Sequence, residues 1–436
     1  MQAHPRLLHT SADIQKLAQN LNTQPMIALD TEFIRENTFY PLLALIQIAT
    51  EKESWLIDPL ALTPEELKPL FEVLSSPHVL KLLHAAQGDQ ECFYVNYKFV
   101  LKPTLDTAVA ASLCGYGEAI GLSKLVHEVL NVTLQKGHAR TDWTVRPLPK
   151  ELIHYAHADV QYLIPVWQKL LQELSNRGRK NWAFDLSRNF EDKKLYECNP
   201  HTIAERLARG GKLDKRSYAI LRELVGWRET QAKYLNVPRR RIVDDGVLMD
   251  LAKARPKNIE HLSTFRGLSR RSLKQCGEHL IKIILKAQAI PEEKLPSIPQ
   301  SRHFSSKEQH AIELLNSFLK VLAHELHISP RYLIKSEALP MIFSERFASP
   351  KDLLTHGVLS QGVYELIGED FFSFLQGKRF LFWKDGVVQC IKSDLHHANP
   401  PGIKSDLHSN LSHSHPGNTL DANPPVCKGE IKHDSS

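Results

Sequence analysis

Apolar positions in this chain follow two rhythms. In the first stretch they come as short runs bounded by charged or turn-forming residues. Residues 26–29 (MIAL), 42–49 (LLALIQIA), 55–57 (WLI) and 79–83 (VLKLL) are such runs, and runs this short predict buried strands. Spacings of three and four then take over at 91–99, 107–113 and 122–130, which predict helices. A longer amphipathic stretch covers 150 to about 174. Pro149 suits its opening. Pro165 lies inside it and predicts a kink or break, because its ring removes one N–H and crowds the preceding turn. The first two hundred residues thus read as mixed α/β.

The remainder reads differently. Residues 176–210 are polar, with Gly178, Asn199-Pro200 and Gly210-Gly211, and predict a connector with some helix. Residues 213–289 predict helices broken at Asn236-Val237-Pro238, Asp245-Gly246 and Arg255-Pro256. The three prolines of IPEEKLPSIPQSR (290–302) predict a linker at 292–305. Helical spacing returns from 306, clearest in AIELLNSFLKVLAHEL. The end of the chain repeats IKSDLH from Ile391 and Ile403, and ANPP from Ala398 and Ala422. It is too poor in apolar residues to fold alone, so 381–436 predicts a low-complexity, disordered tail. Its histidines (His396, His397, His408, His413, His415, His433) read as weak metal binders or as incidental. The expected units are therefore 1–175, a connector 176–210, 211–291, a linker 292–305, 306–380 and the tail 381–436.

Composition narrows the function. With 436 residues, two to four domains are expected. A hydrophobic share of 42% and a charged share of 24% exclude a wholly disordered or fibrous chain. No run of about eighteen apolar residues occurs, so no membrane span is expected. The N-terminus shows no secretion-signal pattern. Six dispersed cysteines without a CxxC pair give neither a disulfide framework nor a zinc site, and fit a reducing cytoplasm. The net charge of +6 is modest, but residues 211–290 alone carry 18 Lys and Arg against 8 Asp and Glu. So basic a segment attracts polyanions, nucleic acid above all; a solvated face that aids solubility is the alternative. A P-loop is absent from the sequence, which excludes a helicase.

Three acidic motifs carry candidate chemistry. Asp30 and Glu32 in LDTEF stand two apart at the end of the first apolar run, so on a strand they share a face. Two carboxylates side by side repel unless a cation sits between them, and Mg²⁺ or Mn²⁺ suits oxygen ligands. Taken alone, the pair also fits two exposed acids. Tyr155 and Asp159 in HYAHADVQYL lie one helical turn apart on one face, among the small residues Ala156 and Ala158. Asp89 in HAAQGDQECF follows the fourth run, either as a helix cap or as a ligand at a strand end.

In combination, Asp30 with Glu32, then Asp89, then Tyr155 with Asp159, this sequence resembles the DEDDy 3′→5′ exonuclease superfamily, specifically its ribonuclease D branch. Arg140 to Trp143 (RTDW) followed by RPLPKE is similar to that branch. The second half, KRSYAILRELVGWRETQAKYLNVPRRRIVDD with LSTFRGLSRRSLKQCGEHLIKII, resembles the HRDC domain, and 306–376 resembles a more divergent second domain of that type. The resemblance covers roughly residues 5 to 380 and leaves the repetitive tail without a counterpart. It implies an α/β ribonuclease-H-like exonuclease domain, a mixed sheet flanked by helices, followed by two all-α HRDC-type domains.

It also implies an activity: hydrolysis of RNA 3′ ends to nucleoside 5′-monophosphates with two divalent ions, Mg²⁺ or Mn²⁺, clamping the attacking and leaving oxygens. By that pattern Asp30, Glu32 and Asp159 hold the ion that activates water, Asp30 bridges to the second ion, Asp89 serves the second, and Tyr155 orients the water. The implied partner is RNA with a free 3′ end, tRNA precursors above all, and the protein is expected to be a cytoplasmic monomer. Lys136 and Arg140 are candidates for phosphate contact, Trp143 for stacking on a base or for the core, and Arg239, Arg240 and Arg241 for sequence-independent RNA binding. His84 is either near the metal cluster or packed and hydrogen-bonded. Two further readings stay open: the same chemistry on DNA, and an inert RNA-binding scaffold.

Overall fold

The computed structural model describes residues 6–134, 137, 141–268, 270–299, 304–335 and 338–392. The chain opens with β1 (Arg6–Leu8), α1 (Ser11–Leu21), β2 (Met26–Ile34), β3 (Leu42–Ala49), β4 (Ser54–Ile57), α2 (Pro64–Ser75), β5 (Leu80–Leu83), α3 (Gln87–Tyr97), β6 (Thr104–Asp106), α4 (Thr107–Cys114) and α5 (Leu122–Leu130). Next come α6 (Lys150–Gln161), α7 (Leu163–Asn176), α8 (Lys180–Arg188), α9 (Pro200–Arg209), α10 (Lys215–Tyr234), α11 (Arg239–Ile242), α12 (Asp245–Ala254), α13 (Ile259–Leu262) and α14 (Arg270–Gln288). The described chain finishes with α15 (Ser306–Glu325), α16 (Leu339–Ser344), α17 (Pro350–Thr355), α18 (Gln361–Leu375), β7 (Arg379–Lys384) and β8 (Val387–Lys392).

Strands β1 to β6 form one mixed sheet in the order β1-β4-β3-β2-β5-β6. β3 runs antiparallel to both β2 and β4, while the other pairs are parallel. The run LLALIQIA is buried along β3 from its second residue onward because it lies inside the sheet with helices on both faces. On one face Ile27, Leu29, Ile46 and Ile48 meet α1, α2 and α3 through Ile14, Leu17, Leu70, Leu74 and Phe93. On the other, Ala28, Ala49 and Leu82 meet α4, α5 and α7. Pro165 ends the preceding helix as its chemistry requires: α6 stops at Gln161, and α7 starts at Leu163 with Pro165 in its first turn.

Residues 176–210 are more ordered than a connector. They form α8 and α9, and Ala204 and Ala208 of α9 are buried in the helical bundle built around α10 with Leu221, Leu224, Leu251 and Ile284. Nor do the helices after 305 stand apart. Leu315, Phe318, Leu319 and Leu322 of α15, with Ile367 and Phe371 of α18, belong to the same core as α4 and α7. Contact between α18 and α8 is close enough that a Cβ on Gly362 would fall 2.5 Å from the Trp182 side chain.

The expected tail boundary at 381 is also corrected. β7 and β8 pair as a hairpin across Asp385 and Gly386, both at positive φ (52° and 80°), a turn that Asp-Gly makes readily. Residues 393–436, with all six tail histidines, lie outside the described residues. Among the described residues no helix is long and apolar enough to cross a membrane, and the five described cysteines are free.

Candidate active site

Strand period sets the first two acids. Asp30 and Glu32 alternate with buried Thr31 on β2, and across the sheet they face Gln47 and Leu45 of β3. α6 crosses this face. Its buried stripe Leu152, Ala156 and Val160 packs it down, the first two against Leu45, Leu56 and Trp143 and Val160 into the neighbouring core with α7. Tyr155 and Asp159, each one position before a member of that stripe, are carried to the β2 carboxylates, and Ala156 is small enough to permit the approach. Asp30, Glu32 and Asp159 each offer an oxygen within 4.8 Å of the others.

Asp89 arrives from the other side. β5 pairs with β2 only as far as Ala28↔Leu82, which leaves the later edge of β2 open. α3 packs at that edge with the α1–α2 layer, burying Asp89 to 5% exposure. Its carboxylate is not the cap of α3; the Ala85 and Ala86 amides at the helix start donate to Asp106 instead. Asp89 accepts a 2.5 Å hydrogen bond from the Thr31 hydroxyl. It thus stands outside the close trio, yet near enough that its charge is the strongest of those acting on Asp30.

The electrostatics are those of an anionic cup. Among the described residues no Lys or Arg forms a salt bridge with any of the four acids. Burial, then the charges of Asp89, Asp159 and Glu32, hold Asp30 well above the carboxylate range. Burial and the charges of Asp159 and Asp89 push Glu32 up to about 9. Burial raises Asp89 to about 7 against the opposing Thr31 hydrogen bond, and raises Asp159 to about 7 against a hydrogen bond from Tyr155. Burial and the neighbouring acids also push the Tyr155 hydroxyl far up, so it stays protonated. A cluster of oxygen donors with no salt-bridged Lys or Arg among the described residues fits hard divalent ions such as Mg²⁺ or Mn²⁺; without one, buried like charges are costly.

The other sequence candidates separate. His84 is packed: its ring nitrogens meet the Thr107 hydroxyl at 3.0 Å and the Ile120 carbonyl at 2.9 Å. Trp143 is 1% exposed and packs in the core, the second of its two expected roles, 6.0 Å from the Tyr155 ring. Arg239 pairs at 2.9 Å with Glu229, a carboxylate with no exposure that also meets the buried Arg228 guanidinium at 3.0 Å. Arg241 donates to Asn37. Arg240 is 86% exposed and meets Asp244 at 3.9 Å, one helical turn on. Lys136 and Arg140 lie outside the described residues.

Three supporting residues escaped the sequence reading. Thr31 ties Asp89 to β2. Arg146 clamps Asp58 through two nitrogens (2.5 and 2.7 Å) while donating to the Ala44 and Trp143 carbonyls, which fixes the segment leading into α6. Gln47, beside Asp30, is fully buried with neither polar side-chain atom partnered in the structure. Alternation along LIQIA marks Gln47 as sharing the Asp30 face once β2 and β3 are paired; Thr31 and Arg146 carry no local signal.

Comparison with known proteins agrees with this geometry. The 3′-5′ exonuclease family model matches residues 5–175 and the HRDC domain model matches residues 217–284. Ribonuclease D of Granulibacter bethesdensis is 34% identical over 344 residues, spanning 78% of this chain and 86% of the relative. Ribonuclease D of Zymomonas mobilis is 34% identical over 395 residues, spanning 89% and 98%. The crystal structure of Escherichia coli RNase D superposes with a TM-score of 0.75 at 29% identity, covering 86% of this chain and 99% of that one. The exonuclease fold implies use of a divalent metal, and the acidic trio is where this chain can hold one. With its 3′-5′ exonuclease domain, its HRDC domain and relatives matched over most of their length, the chain belongs to the ribonuclease D family.

Proposed function

We propose that this chain trims RNA from the 3′ end by hydrolysing the terminal phosphodiester to release nucleoside 5′-monophosphates, with tRNA precursors and other small structured RNAs as its substrates. The observation that carries this reading is the trio Asp30, Glu32 and Asp159, three carboxylates on β2 and α6 each offering an oxygen within 4.8 Å of the others, with no salt bridge to a Lys or Arg among the described residues. Two divalent ions held there would supply the charge that stabilises the attacking and leaving oxygens of an in-line displacement. Asp30, Glu32 and Asp159 would hold one, and Asp89 would serve the second from the open edge of β2. Tyr155, protonated and hydrogen-bonded to Asp159, orients the attacking water rather than taking its proton.

The rest of the chain serves RNA binding. The HRDC domain supplies cations, Arg240 foremost, and the helices of 306–380 act as a second HRDC-type unit welded to the exonuclease core. The structured-RNA role comes from the E. coli relative, described as an exoribonuclease involved in structured RNA processing. A monomer working in the cytoplasm completes the reading. The test is digestion of a 3′-trailered tRNA precursor beside single-stranded DNA of matched length, with Mg²⁺, Mn²⁺ or EDTA. Release of 5′-monophosphates from RNA that stops in EDTA is expected. Equal release from DNA contradicts the RNA assignment, and binding without release leaves a scaffold.

A further inference from the structure

A cleft of about 830 Å³ lies between the exonuclease domain and the HRDC bundle, and none of the four site acids lines it. One wall is α3 with the β2–β3 loop. The other is the start of α9, the end of α10 and α11. The walls are joined by design of the chain: Asn236, at φ +46° after α10, accepts hydrogen bonds from the Phe39 and Tyr40 amides at 3.1 and 3.3 Å. The HRDC turn therefore grips the loop that continues directly from the strand carrying Asp30 and Glu32.

Charge in the cleft is unbalanced. Its three lining acids are engaged: Glu91 with Arg35 at 2.6 Å, Asp245 with Arg228 at 2.5 Å, and Glu197 as acceptor from the Tyr94 hydroxyl at 3.2 Å. Lys98, Arg206 and Lys233 have no carboxylate partner among the described residues. Lys98 reaches only the Val95 carbonyl and the Tyr94 ring, and Lys233 the Cys198 carbonyl and the Phe39 ring. Half-buried aromatic rings thus alternate with cations that lack anions. That pairing suits a strand with phosphates along one side and bases along the other. α3 connects it to the chemistry: Asp89 and Lys98 are nine residues apart, about 13.5 Å along the helix.

We propose that this cleft is a second RNA-binding site that holds the single-stranded segment upstream of the nucleotide being removed, with phosphates on Lys98, Arg206 and Lys233 and a base against Tyr94. The proposal rests on the exonuclease assignment above. Its test is fluorescence anisotropy of a 5′-labelled 12-nucleotide single-stranded RNA, titrated with the full chain in EDTA at several salt concentrations. The combined variant Lys98→Ala, Arg206→Ala, Lys233→Ala should bind at least tenfold more weakly at low salt. Its log–log salt slope should fall by about 0.7 per phosphate contact, about 2 in all. The charge-conserving set Lys98→Arg, Arg206→Lys, Lys233→Arg should keep the wild-type slope. A 4-thiouridine in the RNA should photo-crosslink to Tyr94. An unchanged slope in the alanine set overturns the proposal. So does equal loss in the charge-conserving set, or equally tight binding of a 12-residue polyglutamate. Failure of the underlying exonuclease assignment looks different: the wild-type chain would leave the same 12-mer intact with Mg²⁺ and Mn²⁺.

Discussion

Thr31 and Asp89 sit in different elements, 58 positions apart, yet the Thr31 hydroxyl donates to the Asp89 carboxylate at 2.5 Å. Thr31 lies between the two β2 acids, so this bond sets where the fourth acid stands relative to the other three. Partners that orient metal-bound groups commonly change metal affinity by about 10–100-fold when removed. Thr31→Val should raise the Mg²⁺ concentration for half-maximal activity by about that range, and Thr31→Ser should restore it. A Mg²⁺ titration of initial rates checks this; an unchanged midpoint in the valine variant makes Thr31 a bystander.

The acid cup should make the chain sensitive to pH in a set direction. Glu32 titrates near 9 and Asp89 and Asp159 near 7 when folded, against roughly 4 for free carboxyls. Folded values above unfolded ones mean that the folded state binds more protons across this interval. The associated stability is complete below about pH 4 and is lost as pH rises through about 7 and then about 9. Metal-free protein should lose Tm from pH 5 to pH 9 on this account, and the Tm gain on adding Mn²⁺ should grow over the same range because the ion displaces protons. Thermal melts with EDTA and with Mn²⁺ at pH 5, 7 and 9 measure both. A Mn²⁺ gain that does not vary with pH contradicts the cup.

Trp143 and Tyr155 divide two roles that sequence leaves mixed. Trp143 is buried beside Tyr155, so Trp143→Ala should cost about 3–5 kcal/mol in urea unfolding, as large-to-small core changes do. Tyr155→Phe keeps the ring and removes only the hydroxyl. It should lower kcat while leaving RNA Kd close to wild type. A parallel loss of both in Tyr155→Phe would make the residue structural.

Arg239 and Arg240 are neighbours with opposite expected phenotypes. Arg239 pairs with fully buried Glu229, and Arg240 is 86% exposed. Arg239→Ala should destabilise the fold by about 1–3 kcal/mol, the usual cost of removing one charged hydrogen-bond partner from a buried acceptor, with Arg228 still paired to Glu229. Arg240→Ala should leave unfolding unchanged and reduce the salt slope of RNA binding. Denaturant melts and anisotropy titrations separate the two; reversed phenotypes would move the RNA contact to Arg239.

What could be read from the sequence follows from how local each signal is. Asp30 with Glu32 and Tyr155 with Asp159 are legible because strand and helix periods alone put each pair on one face. The break before Pro165 is legible for the same reason. The placement of Asp89 on the opposite layer is not, since it depends on where β5 stops pairing with β2. β1 and β6 span three residues each, too short for any pattern. The helices after 305 look independent in sequence because their apolar stripe does not say which surface receives it; the receiving surface is the exonuclease core. Sequence leaves Trp143 open between base stacking and the core, and Arg239 looks like a nucleic-acid contact by type; the structure packs Trp143 beside Tyr155 and pairs Arg239 with Glu229, because burial is a tertiary property.

Asp30 is the acid on which the charges of the other three converge, so its removal probes the whole constellation. Single-turnover hydrolysis of a 3′-labelled RNA by Asp30→Ala, with Mg²⁺ and again with Mn²⁺, should fall at least a thousandfold, about 4 kcal/mol in the barrier, in a protein whose circular dichroism matches wild type. Near-full release of nucleoside monophosphate by that variant in Mn²⁺ would contradict a metal-holding carboxylate cluster as the seat of catalysis.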